Sequence, residues 1–203
     1  MSAHLFVAAV YDRLMVPADK LGFDQIRKKV VKDARGKVLE IGAGTGLNFK
    51  FFENASCVFA IEPDSFMLKR AVKRIRNCAA LIQAEAEQIP FPDNSFDTVV
   101  STLTFCTIEN PAKAAREIQR VLKPDGMFYF AEHPIADNPF LSKIERVLTP
   151  FWKRVAGGCH LDRNIISYFK SGGLNIREIA RLDSFFVAGS AAKYHENNLR
   201  NAK

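Results

Sequence analysis

Gly42, Gly44 and Gly46 stand at alternate positions, directly after a short apolar run and directly before a helical pattern. Glycine at such a place lets the backbone turn tightly and lets a ligand approach where any Cβ would collide. A dinucleotide loop follows the pattern G-x-G-x-x-G, its third glycine packing helix on strand. This chain has G-x-G-x-G, with Leu47 where that third glycine would stand, so the spacing argues against a nicotinamide cofactor. Glu40 opens the loop, and Glu62 ends the next apolar run, 22 residues further on. A carboxylate at that point can accept both hydroxyls of a ribose. Loop and acid together specify an adenosine-type ligand without requiring a diphosphate.

Imidazole is the side chain whose charge changes nearest neutral pH, so the interior histidines are the candidate acid-base groups. His133 follows Glu132 at the end of an apolar run, and His160 lies in the loop Gly157-Gly158-Cys159-His160-Leu161-Asp162-Arg163. A hydrogen-bonded structural role stands against each. His4 and His195 are near the termini and read as surface residues. Cys57, Cys78, Cys106 and Cys159 show no C-x-x-C pairing. Spacing therefore predicts neither a disulfide framework nor a metal site, and Cys106 and Cys159 read as bystander thiols near the site.

The elements that must position these groups follow from hydrophobic patterning. From Lys37 onward short apolar runs alternate with helical patterns, as in a parallel sheet with crossover helices. Val38–Ile41, Cys57–Ile61, Ala79–Gln83, Phe96–Thr102 and Gly126–His133 read as strands. Helices are expected around Leu47–Phe52, Ser65–Asn77 and Pro111–Leu122, the last stopped by the turn Lys123-Pro124-Asp125-Gly126. A helical insertion over residues 134–172 follows, with helices at Pro139–Val155 and Arg163–Ser171. Leu174–Leu182 and Phe185–Ala192 close the chain as strands able to pair as a hairpin. Residues 1–33 carry no strand signal. There Phe6, Val10 and Leu14 form one helical stripe, and Phe23, Ile26 and Val30 continue on the same period after Pro17. Two N-terminal helices packing on the sheet are expected, a lid over a ligand being the alternative. The fold class is α/β, a single domain over residues 1–203.

The 203 residues, 48% of them hydrophobic and 25% charged, can bury a sizeable core, which excludes disorder and coiled coil as descriptions of the whole. The formal net charge of +7 attracts anionic surfaces weakly. Its basic residues are dispersed over amphipathic stretches at Arg27–Lys32, Lys69–Arg76 and Arg146–Arg154, so solvated helix faces, not a nucleic-acid groove, are the reading. The apolar run Leu5–Tyr11 and the uncharged stretch Thr98–Ile108 fall well short of the roughly 18 residues that span a bilayer. With no signal peptide and no disulfide pattern, a cytoplasmic location is expected, with peripheral membrane contact as the alternative. No feature calls for an obligate protein partner.

Four segments carry a resemblance. They are the loop from Glu40 to Gly46, Ile61-Glu62-Pro63-Asp64-Ser65-Phe66-Met67-Leu68, the stretch Glu85-Ala86-Glu87-Gln88-Ile89-Pro90-Phe91-Pro92-Asp93-Asn94-Ser95-Phe96-Asp97, and Arg120-Val121-Leu122-Lys123-Pro124-Asp125-Gly126. In this order, over about Lys37 to His133, the chain resembles the class I S-adenosylmethionine-dependent methyltransferases. The resemblance implies a Rossmann-like, seven-stranded, mostly parallel sheet with one antiparallel strand, and S-adenosylmethionine as cofactor. It implies that Glu40 and the loop glycines hold the methionine part, and that Glu62, with Pro63 beside it, holds the ribose. Met67 would line the adenine pocket, Glu85 would meet the adenine amino group and Ala86 would offer its amide. Thr102 would meet the methionine amino end.

The acceptor side is similar to the alkyl-thiol methyltransferase-like proteins, and the segment from Glu85 to Asp97 also resembles bacterial phospholipid and quinone methyltransferases. The thiol resemblance is carried by Leu47-Asn48-Phe49-Lys50-Phe51-Phe52, Thr102-Leu103-Thr104-Phe105-Cys106 and Phe128-Tyr129-Phe130-Ala131-Glu132-His133, followed by the Trp152 region and Gly158-Cys159-His160-Leu161. This implies an enzyme that methylates a small molecule, a thiol among the candidates. The alternatives are phosphatidylethanolamine nitrogen, a quinone carbon, and donor binding without turnover. His133 and His160 would serve the acceptor, and Phe105, Phe140, Phe151 and Trp152 would wall an apolar pocket or else pack the core. Animal members of the thiol group begin with a hydrophobic anchor that this chain does not show.

Overall fold

The computed structural model describes residues 12–13, 17, 22–75, 79–181 and 186–193. Seven strands occupy Gly36–Ile41 (β1), Ala55–Ile61 (β2), Ala79–Ile82 (β3), Phe96–Thr102 (β4), Leu122–Glu132 (β5), Leu174–Arg181 (β6) and Val187–Lys193 (β7). Helices occupy Asp24–Val31 (α1), Ser65–Ala71 (α2), Pro111–Val121 (α3), Pro139–Val155 (α4) and Ile165–Ser171 (α5). The sheet order is β3-β2-β1-β4-β5-β7-β6. Strands β1 to β5 pair in parallel, and β7 lies antiparallel between β5 and β6. The chain winds outward from β1 in one direction and from β4 in the other. The crevice at the carboxyl ends of β1 and β4 is therefore the topological switch point where open α/β sheets take their ligands.

Period-two alternation builds the two faces. Leu39, Val99, Phe128 and Phe130 point to one side, where Ile118 of α3 and Phe169 of α5 cover them. Val38, Val58, Val100 and Ala131 point to the other, under Val30 and Val31 of α1 and Ala71 of α2. Both faces of the central strands are thus dry, which is why the sequence writes them as near-continuous apolar runs. Helix starts are marked just as locally. Asp64, Asn110, Asn138 and Asn164 each accept backbone amides of the following first turn, and Pro111 and Pro139 supply the first turns of α3 and α4.

Three expectations are corrected. Leu47–Phe52 is no α-helix but a 3-10 turn at Phe49–Phe51. Phe49, Phe51 and Phe52 are all buried, and no single helix face can bury all three. The helix expected over Ser65–Asn77 stops at Ala71 and continues as a 3-10 turn, Val72–Arg74. The Lys123-Pro124-Asp125-Gly126 turn does not precede β5 but bulges within it, Phe96 pairing with Leu122 and Thr98 with Met127. The terminal hairpin stands at the sheet edge as expected, its second strand lying against β5. The first N-terminal helix, His4, His195 and Cys78 fall outside the described residues.

Candidate active site

Glu40, at the penultimate position of β1, is 1% exposed. One of its oxygens, Oε1, accepts from Asn48 Nδ2 at 2.7 Å, and the same nitrogen reaches Thr102 Oγ1 at 2.9 Å. Arg27 of α1 enters from below, its Nη1 donating to Asn48 Oδ1 at 3.2 Å and to Thr102 Oγ1 at 3.3 Å. Glu40 Oε2 is buried with no hydrogen-bond partner. Burial pushes the Glu40 carboxyl up to about 8, against the pull of Asn48 and Arg27. A buried carboxylate oxygen left unpartnered is costly, so this one is the mark of a cationic or proton-donating ligand.

Above it the glycine loop is clasped to the end of β2, Gly42 and Ala43 donating to Ile61 O at 2.9 and 3.0 Å. Gly42 has φ 67°, and a Cβ there would come within 2.3 Å of the Thr104 side chain. Gly44 has φ 54° and a Cβ would meet nothing within 4 Å, so its bareness serves space and not packing. Glu62, also buried, accepts from Gly44 N at 2.9 Å through one oxygen and from Asp64 N at 3.0 Å through the other. Burial raises its pKa, the two amides opposing. Each oxygen retains lone-pair capacity for a hydroxyl. Next to this, Ala86 is buried, Met67 half-buried, and Pro63 and Glu85 exposed. The set fits a ligand with an ammonium at Glu40, a diol at Glu62 and an uncharged middle over Gly44.

Asp12 closes one flank, accepting from Thr45 Oγ1 at 2.6 Å and from Arg74 Nη2 at 2.7 Å. Partial burial opposes its ionisation, yet Arg74 and Thr45 outweigh this and hold its pKa below the usual value.

Beyond β4 the chain is fixed by Glu132, fully buried at the end of β5. Ser101 Oγ donates to it at 2.6 Å, and the amides of Thr104 and Phe105 donate at 3.1 and 3.2 Å. Burial pushes Glu132 up to about 7, those donors opposing. The segment carries strain, Leu103 holding φ 53°. Cys106 follows, buried, and His133 follows Glu132. His133 Nε2 lies 3.3 Å from Cys159 Sγ, and the ligand atoms of Cys106, His133 and Cys159 all lie within 4.8 Å of one another. The neighbouring Cys106 thiol and then His133 lower the pKa of Cys159, while Cys106 is pushed up. Burial works against protonated His133, but Cys159 outweighs it and raises the pKa.

His160 stands apart from that group. Its amide donates to Cys106 O at 2.9 Å, and its ring faces Asp162 at 3.6 Å. Burial, then Arg163 and Lys153, lower its pKa. The expected aromatic wall is also not assembled. Phe105 is core, 4.7 Å from the Phe169 ring and fully buried, whereas Phe140 and Phe151 are 72% and 65% exposed on α4. Trp152, half exposed, contacts Cys159. Sequence reasoning missed Arg27, Asn48 and Glu132. Arg27 had a signal, since it interrupts the apolar stripe of Phe23 and Val30 at a position that helical spacing puts inside.

Residues 39–130 match the methyltransferase domain family. The thiol S-methyltransferase TMT1B of Rattus norvegicus is 37% identical over 147 residues, covering 66% of this chain and 59% of the relative. The human thiol S-methyltransferase TMT1A is 32% identical over 161 residues, covering 76% of this chain and 66% of its own. The chain thus spans about three fifths to two thirds of these relatives' length. Among solved structures, a SAM-dependent methyltransferase from Thermotoga maritima superposes with a TM-score of 0.72 at 20% identity, over 94% of this chain and 98% of the other.

Proposed function

The chain belongs to the class I S-adenosylmethionine-dependent methyltransferases, and on that premise we propose that it methylates the sulfur of a small alkyl thiol in the cytoplasm. The carrying observation is the buried, unpartnered Glu40 oxygen beneath a glycine loop that leaves open space at Gly44. S-adenosylmethionine, when bound, supplies an electrophilic methyl group on a sulfonium. Glu40, positioned by Asn48, Thr102 and Arg27, takes the ammonium of the methionine part. Glu62 takes the ribose hydroxyls, with Pro63, Met67, Glu85 and Ala86 around the adenine. In-line displacement asks the protein chiefly to align donor and acceptor and to exclude water. A thiol has an ordinary pKa near 8.5, so modest help makes it a thiolate at neutral pH. Of the two proposed acceptor-side imidazoles, the geometry favours His133, which follows β5 at the ligand-binding edge; His160 is turned to Asp162.

A second reading takes its support from α4. Phe140, Ile144, Val147, Phe151 and Val155 recur at three and four residues and are all exposed, with Lys143, Arg146, Lys153 and Arg154 exposed beside them. An apolar stripe with basic flanks suits the surface of an anionic bilayer. Phosphatidylethanolamine presented there would be the acceptor. No helix among the described residues is long and apolar enough to cross a membrane.

The test is incubation of purified protein with methyl-labelled S-adenosylmethionine and either ethanethiol or phosphatidylethanolamine vesicles. Label in the thioether supports the thiol reading. Label only in lipid replaces it with the second, and donor binding with no product in either arm leaves a binding protein.

A further inference from the structure

We infer that Cys106, His133 and Cys159 form a three-ligand site for a zinc-class divalent cation whose open fourth position receives the sulfur of the acceptor. The site stands on geometry alone; its use rests on the thiol reading above.

The donors come from three separate places at one edge of the sheet. Cys106 lies four residues beyond the end of β4, His133 directly after β5, and Cys159 in the loop after α4. Their ligand atoms lie within 4.8 Å of one another, His133 Nε2 and Cys159 Sγ at 3.3 Å. A tetrahedral zinc ion with bonds of roughly 2.3 Å to sulfur and 2.0–2.1 Å to nitrogen sets its ligand atoms about 3.5–3.8 Å apart. The observed group thus closes on an ion with shifts of about 1 Å or less. Two thiolates and an imidazole are soft to borderline donors, which suit zinc and disfavour magnesium or calcium. The two thiolates also neutralise the dication.

The scaffold around the donors is fixed. His160 N donates to Cys106 O at 2.9 Å, tying the two cysteine loops together. Arg163 Nη1 donates to Phe105 O and Ile108 O, on both sides of Cys106, at 2.6 and 2.5 Å. The amides of Thr104 and Phe105 are held by Glu132, the residue before His133. Backbone bonds of this kind hold ligands in place before the ion arrives. A structural zinc site is closed by four protein ligands, whereas a catalytic one keeps a position open. Among the described residues the group contains three donors and no fourth. Its neighbour on the other side is the donor site, since Thr104 packs against Gly42 and its hydroxyl donates to Ile41 O at 3.2 Å.

The step balances without a redox partner. The acceptor S–H bond breaks as its sulfur binds the cation, and the proton passes to solvent. A sulfur lone pair of the bound thiolate forms the new S–CH3 bond. The methyl–sulfonium bond breaks, its electron pair returning to the donor sulfur. A thioether product is a weak ligand and leaves. His133 thus favours the thiolate as a ligand to the ion and not by taking the proton itself.

The test uses the full chain, freed of metal by a chelator and kept reduced with a phosphine so that no added thiol competes. One equivalent of cobalt(II) should give the visible bands of a tetrahedral site and thiolate-to-metal charge transfer, both displaced by zinc. Cys159→Ser, Cys106→Ser and His133→Ala should each weaken zinc binding by more than the 10–100-fold that loss of an outer partner costs, while keeping S-adenosylmethionine affinity as evidence of folding. Ethanethiol, but not ethanol, should shift the cobalt bands. Absence of the bands in the wild-type chain, or equal bands in the double cysteine variant, overturns the site. Bands that ethanethiol leaves unmoved overturn the open-position role. Thiol methylation undiminished in metal-free protein would sink the inference and leave the proposed function standing; cysteine-dependent cobalt bands in a protein that methylates only vesicle lipid would leave the cation site standing and overturn both its use and the thiol reading.

Discussion

Gly44 and Glu40 show how single residues divide the work of the donor site. At Gly44 a Cβ meets nothing within 4 Å, and Asp tolerates the left-handed region better than most residues. Gly44→Asp should therefore fold, at a cost of about 1–2 kcal/mol, and lose measurable S-adenosylmethionine binding by calorimetry; retained affinity would move the donor elsewhere. Glu40→Gln keeps the Asn48 contact but removes the charge opposite the ammonium. It should weaken donor binding by about 1.5–3 kcal/mol, the range of a hydrogen bond to a charged group, and an unchanged Kd would refute the assignment. His133→Ala should lower the methyl-transfer rate more than donor affinity, because His133 lies beyond Thr104 on the acceptor side. Equal activity with the best acceptor would remove its role.

At the scale of elements, α5 and α4 are opposites. Phe169 seats α5 on the sheet among Phe105, Phe128 and Phe130, at ring distances of 4.7 to 5.0 Å. Phe169→Ala should cost about 3–5 kcal/mol in urea unfolding and loosen the turn that carries Cys106. On α4 the same residue type faces solvent. On the second reading, changing Phe140, Val147 and Phe151 together to Ser should leave the urea midpoint within about 0.5 kcal/mol per site and abolish the sedimentation with anionic vesicles that this reading expects of the unchanged chain. Vesicle binding that survives would assign the stripe to another role. The composition of α4, with apolar and basic residues on one period, was legible from sequence; that its apolar side stays uncovered was not, because an amphipathic pattern looks the same whether water, lipid or protein meets it.

For the whole molecule the buried carboxyls set a pH dependence. Burial raises Glu40 to about 8 and Glu132 to about 7, from an ordinary 4.5. Between these values the folded chain holds more protons than the unfolded one, so stability falls as pH rises. The contribution is complete below about pH 4.5 and lost through pH 7 to 8. Urea midpoints should accordingly decline from about pH 5 to about pH 9, and Glu40→Gln should flatten the curve. Cationic S-adenosylmethionine favours ionised Glu40, so its protection should grow over the same interval. A midpoint that rises with pH would contradict the burial of both groups.

Order along the chain determined much of this molecule. Alternating apolar runs, asparagine and aspartate caps, and the loop from Glu40 to Gly46 are local signals, each read within a few residues, and they implied the sheet, most helices and the donor side. Local reading failed where the decisive partner is distant. Asn48 turns inward to Glu40 and Thr102, which helps to unmake the helix expected there, and Arg27 joins them from 13 residues upstream of Glu40. The three donors show this most plainly. Cys106, His133 and Cys159 stand 27 and 26 residues apart, with no spacing that marks a metal or a thiol pair. Only the ends of β4 and β5, with the loop after α4, bring them within 4.8 Å, because parallel strands deliver to one edge residues that the crossover segments keep far apart in sequence.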